Sequence, residues 1–122
     1  MSSSVPYHFT TGAGNSLQPV GSADQTANLK GIVVANTAAY TLYVKLCWFP
    51  NTASASAPTV GTTAPNFTYA AAPSSSNYPN AIAFPDGVTG NGQMWVWVTK
   101  AAGDTDNTST LANDGVITLL VE

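Results

Sequence analysis

The chain has 122 residues, enough for one domain built on a single core. Apolar residues make up 44% and charged residues only 7%, where soluble domains carry about 25%; a disordered tail or a coiled coil, which both live on charge, is not written this way. A net charge of −3, with no arginine and lysine only at 30, 45 and 100, leaves too little positive charge to hold nucleic acid or an anionic membrane surface.

In chain order, residues 1–28 come first: rich in Ser, Gly and Gln, weakly periodic, and carrying Tyr7, His8, Phe9 and Leu17. Two readings fit, an arm that orders only against a neighbouring subunit or an edge strand near 7–11 with a frayed end. The opening Met-Ser-Ser-Ser-Val-Pro has neither the basic start nor the apolar stretch of a secretory signal, so synthesis in the cytoplasm without secretory export is expected. No apolar run approaches the roughly 20 residues that span a bilayer.

From residue 29 the pattern is period two. A short strand is expected over 29–35. Over 40–49 the alternation is clear: Tyr40, Leu42, Val44, Leu46 and Trp48 share one face, and Thr41, Tyr43, Lys45, Cys47 and Phe49 share the other. The lysine amid that second set points to a partly wet face. Residues 51–65 are a small-residue loop suited to crossing from one sheet to another. A strand over 67–71, a Ser-rich loop between Pro73 and Pro79, and a strand over 81–84 follow. Pro85-Asp86-Gly87 reads as a turn.

Over 93–100, Met94, Val96 and Val98 oppose Gln93, Trp95, Trp97 and Thr99. Asn113-Asp114-Gly115 is a second turn signal, and 115–121 is the last strand. Eight prolines and ten glycines leave few windows of helical length. The expectation is an all-β chain, an antiparallel β-sandwich of jelly-roll or Greek-key type with six to eight short strands. Residues 1–28 form its arm or edge segment, and 29–122 form a single sandwich domain.

Groups able to move protons are scarce. His8 is the sole histidine, and no serine stands in a nucleophile-elbow pattern. Cys47 falls mid-strand among aromatics, where it reads as a packing residue, and one cysteine gives no disulfide. Asp104-Thr105-Asp106-Asn107 could offer oxygen ligands, but the spacing is not that of a calcium loop, and a turn capped by Asx side chains is the simpler reading. No catalytic residue, cofactor or metal is expected. The indoles of Trp95 and Trp97 project from one strand face and need a cover. Loops of the same chain, a subunit interface shared with Tyr43, or a bound sugar would each supply it.

Several blocks resemble a family of small virion proteins of tailed bacteriophages. They are Gly31-Ile32-Val33-Val34-Ala35-Asn36-Thr37 with Tyr43-Val44-Lys45-Leu46, Ala57-Pro58-Thr59-Val60-Gly61-Thr62, Ile82-Ala83-Phe84-Pro85-Asp86-Gly87, Asp104-Thr105-Asp106-Asn107-Thr108, and Ala112-Asn113-Asp114-Gly115-Val116 with Leu119-Leu120. The resemblance keeps their order and covers about residues 28–122; Cys47-Trp48-Phe49, Trp95 and Trp97 depart from it.

It implies a capsid decoration or cement protein, jelly-roll-like and located in the virion. Such a protein binds the major capsid protein and its own copies, as a trimer first and a dimer next. On that reading Trp95, Trp97 and Tyr43 are the expected oligomer interface, and Tyr7, His8 and Phe9 the expected capsid-contact arm. The alternative is a tail-fibre or receptor-binding module that stacks carbohydrate on its tryptophans.

Overall fold

The computed structural model describes residues 5–21, 27–50, 57–74 and 80–122. Alternation lets a strand bury one face while the other meets a different environment, and the alternating stretches lie in strands. The eight are β1 (Val5–Thr10), β2 (Gln18–Val20), β3 (Leu29–Asn36), β4 (Leu42–Phe49), β5 (Phe67–Ala71), β6 (Ala81–Val88), β7 (Gln93–Thr99) and β8 (Gly115–Val121). Among the described residues there is no α-helix, hence none long and apolar enough to cross a membrane.

The strands form two antiparallel sheets of four, ordered β1-β8-β3-β6 and β2-β7-β4-β5, which pack as a β-sandwich. Pairing runs inward from both ends of the chain: β1 with β8, β2 with β7, β3 with β6 and β4 with β5. Contacts of β3 with β8 and of β4 with β7 complete the sheets. The first sheet gives the core Phe9, Leu29, Ile32, Val34, Ile117 and Leu119. The second gives Leu42, Val44, Leu46 and Trp48 from β4 and Met94, Val96 and Val98 from β7.

The two open sides of the sandwich close differently. On the β1/β2 side the Tyr7 hydroxyl donates to Gln18 Oε1 at 3.0 Å. On the β5/β6 side Phe67 and Phe84 meet edge to face, ring centres 5.5 Å apart. A third tie is polar. Asn36 ends β3 pointing inward, and its Nδ2 is shared among the carbonyls of Tyr40, Ala71 and Ala72 at 3.0–3.1 Å, while its Oδ1 accepts from Ala38 N at 2.8 Å. One carboxamide thereby joins the first sheet to the end of β5.

Residues 5–10 are β1, an edge strand of the first sheet, so the described part of 1–28 follows the edge-strand reading; residues 1–4 and 22–26 lie outside the described residues. Three expectations change. Residues 18–20 are a strand too, at the edge of the second sheet. β2, three residues around Pro19, is too short to show alternation. The 51–65 loop joins β4 to β5, neighbours in one sheet, so it does not cross between sheets; its residues 51–56, like 75–79 of the Ser-rich loop, lie outside the described residues.

Pro85-Asp86-Gly87 is not a turn between strands but a bulge inside β6. Leu29 faces Val88 and Gly31 faces Ala83, so four residues of β6 stand against Lys30 alone. Gly87 takes φ +80°, and a Cβ there would run into the Asn28 carboxamide. The Lys30 ammonium caps the bulge, donating to Pro85 O at 2.7 Å.

Candidate interaction surfaces

The outer face of the second sheet is set by register: Lys45 lies opposite Trp97, Cys47 opposite Trp95, and Tyr43 opposite Thr99. Lys45, Trp97 and Thr99 have 0% exposure, and Cys47 has 4%. Parts of two loops, 57–66 and 100–114, cover them. Lys45 Nζ donates to Gly103 O, Thr99 Oγ1 donates to Ala101 O, and Cys47 Sγ stands 4.0 Å from Ala64 O. The loops meet where a Cβ on Gly61 would be 3.2 Å from Asn107 Cβ.

The 100–114 loop is pinned to the N-terminal segment by Asn15 Nδ2, which donates to Asn107 O and Thr108 O, and by mutual backbone bonds between Gly14 and Thr110. Within it the Asp106 carboxylate accepts from Thr108 Oγ1 and N. The hydroxyl is the chief reason its carboxyl sits below the usual range. Burial pulls the Lys45 ammonium down from the ordinary lysine value, and Asp106 and then Asp104 pull it partly back. Burial also pushes the Cys47 thiol up.

Lys45 itself is thus buried under loops of the same chain together with Trp97, while Thr41, Tyr43, Phe49 and Trp95 of that face keep partial exposure, so the face as a whole is partly wet. Trp97 offers a partner no surface, while Trp95 and Tyr43 are half-buried. The Nε1 atoms of both Trp95 and Trp97 are buried without a hydrogen-bond partner among the described residues.

The outer face of the first sheet is the opposite case. Register lays His8, Thr118, Val33 and Ala81 in one row across the four strands, with Pro6, Leu120, Gly31 and Ala83 on one side of it and Thr10, Val116 and Ala35 on the other. Val33 is 45% and Val116 37% exposed. None of these eleven residues carries a carboxylate, and His8 alone is titratable. Of the three expected arm residues only His8 faces outward: Tyr7 is half-buried on the inner side and Phe9 belongs to the core at 8% exposure.

Among the described residues no three His, Cys, Asp or Glu side chains come together where a metal ion could be held. The structural residues that sequence reasoning passed over are Asn36 and Gln18. Only their polarity amid apolar neighbours marks them out. Comparison with family models, with curated proteins and with solved structures finds no match to this chain.

Proposed function

We propose that this chain is a non-enzymatic structural protein of a tailed-bacteriophage virion, a capsid decoration or cement protein made in the bacterial host. It lies on the outer surface of the head as a homo-oligomer and ties neighbouring capsomers together through the major capsid protein. The observation that carries this reading is the outer face of the first sheet: four strands wide, made largely of small and apolar residues with Val33 and Val116 exposed, and without a carboxylate. Such a face binds another protein surface by excluding water, and it adds no like-charge repulsion where many copies crowd a shell.

The virion and its major capsid protein enter from the sequence blocks of residues 28–122. The pairing of strands inward from both chain ends is that of one hairpin ribbon rolled up, and it supports the jelly-roll form of the sandwich. Mechanically, each copy buries modest area across a joint, and many such joints together resist pressure from the packaged genome. The carbohydrate-binding alternative needs a platform of exposed indoles; Trp97 is fully buried, which leaves it the half-buried Trp95 alone of the two.

The test is copy number in purified particles of the encoding virus, by quantitative mass spectrometry against the major capsid protein. A simple fraction of the shell's subunit number is expected. A handful of copies per particle, or none, would overturn the reading.

A further inference from the structure

Each sheet ends in two edge strands, and an edge presents unpaired backbone groups that another chain can add to. Three of the four edges are blunted. β1 contains Pro6, β2 contains Pro19, and β6 contains Pro85 followed by Asp86. Proline removes a ladder donor, and a charge or a bulge opposes pairing. Among the described residues β5, Phe67-Thr68-Tyr69-Ala70-Ala71, ends the second sheet with no proline, no charge and no bulge.

The same side of the sandwich is apolar. Phe67 and Tyr69 of β5 and Phe84 of β6 are half-buried against the core, and Ile82 is 37% exposed beside them. On the opposite side the Tyr7–Gln18 hydrogen bond and two strand prolines leave nothing comparable.

We propose that β5 is the strand through which two copies of this chain associate, antiparallel about a two-fold axis, so that their β2-β7-β4-β5 sheets become one sheet of eight strands. A second copy suits this edge for two reasons. An antiparallel strand is its own partner under a two-fold, with large residues set against small ones: in a pairing centred on Tyr69, Phe67 faces the partner's Ala71 and Thr68 faces the partner's Ala70. The edge and the flanking Ile82 and Phe84 are also uncharged, so two chains of net charge −3 meet there without like charges in contact.

Size sets the strength. A five-residue strand is about 17 Å long, and the two sheets stand about 10 Å apart. The covered strip is thus well below the roughly 800 Å² per partner of a standard interface. The dimer is weak in free solution and firms up where copies are held side by side, as on a shell. The proposal deepens the homo-oligomer named above but does not rest on the capsid: particle copy number tests that reading, and solution mass tests this one.

The experiment is sedimentation equilibrium of the full chain over about 10 µM to 1 mM, the range that a weak interface populates, with Ala70→Lys and Ala70→Glu as separate variants. Ala70 is exposed, so both variants should keep the wild-type thermal midpoint. Wild type should form a dimer as concentration rises. Each variant alone should need at least tenfold more protein to do so, and an equimolar mixture of the two should recover the dimer. Val33→Lys, on the bare face of the other sheet, should leave the dimer untouched. A wild type that stays monomeric to 1 mM, a trimer, a dimer indifferent to residue 70, or one abolished by Val33→Lys would each overturn the proposal. If the Ala70 variants unfold, Thr68→Lys on the same face of β5 answers the same question.

Discussion

The two outer faces of this sandwich have opposite fates, and their sequences do not announce which is which. The second sheet presents Lys45, Trp97, Thr99, Cys47 and Gln93 outward, a set with a charge and hydrogen-bonding groups, and all of them are buried. The first sheet presents Val33, Val116, Ala35, Ala81 and Ala83 outward, and these are exposed. What differs is the loops. The described loops 57–66 and 100–114 fold back over the second sheet, where Gly103 O and Ala101 O accept from Lys45 and Thr99 and Ala64 O stands against Cys47 Sγ. The lesson is that alternation reports which residues share a face, while burial of that face is decided by whatever the connecting chain lays over it.

The comparison is broken most forcefully at Trp97. If the loop-covered face is a second core layer, Trp97→Ala should cost about 3–5 kcal/mol in urea unfolding, as for any large aromatic removed from a packed site. A loss under 1 kcal/mol would mean that the loops do not hold it. Asn36→Ala comes next. It removes a donor from three carbonyls and the acceptor of Ala38 N, and about 2–3 kcal/mol should be lost. Amide exchange should speed up at Ala38 and at the end of β5. Equal loss without faster exchange there would deny that this carboxamide joins the sheets.

How much of this was readable is best judged at particular residues. The strands 67–71 and 115–121 are legible to the residue, because alternation coincides with breakers, Pro65-Asn66 and Pro73 around the first and Asn113-Asp114-Gly115 ahead of the second. β2 is not, since three residues carry no period. The 85–87 bulge is legible as broken backbone but not as broken within a strand: Pro and Gly report a local φ, and continuation of the ladder beyond them depends on Leu29 pairing with Val88. Lys45 is buried although a lysine usually marks water. Its burial rests on a carbonyl 58 residues away, which no local pattern encodes. The same holds for Phe9, where one apolar residue in a polar stretch looks like arm and is core.

Lys45→Met sharpens the comparison with a smaller effect and a distinctive pH dependence. The side chain is buried, and Gly103, whose carbonyl it bonds, is exposed and can turn to water instead. Replacing a buried charge with an apolar chain of similar length is commonly neutral or stabilising, so near pH 8 the variant should unfold at the same urea concentration as wild type or a higher one. Burial depresses the lysine's folded value below that of the unfolded chain. Between those two values the unfolded state binds more protons, so wild-type stability gains as pH rises through the window.

The variant lacks that gain. Its advantage should shrink as pH rises towards the ordinary lysine value of 10.5. Cys47, Tyr7 and Tyr69, all raised by burial, lose stability over the same alkaline range, but they are common to both proteins and cancel in the difference. Parallel pH curves, or a variant far less stable than wild type at pH 8, would show that the ammonium is not dry.

The smallest effect belongs to the bare face, and it is the one that tests whether that face is bare. Val33 sits mid-sheet between Thr118 and Ala81, 45% exposed. Val33→Thr keeps the β-branch and the volume, and it exchanges a methyl at the surface for a hydroxyl that water can satisfy. With the site open to solvent the change should stay within about 0.5 kcal/mol. Measuring it at two protein concentrations a hundredfold apart gives the result its meaning. A loss above 1 kcal/mol at both would show the face covered within the chain, and the contrast between the sheets would vanish. A loss that appears only at the higher concentration would show the face covered by a second copy, and would move self-association from β5 to this sheet.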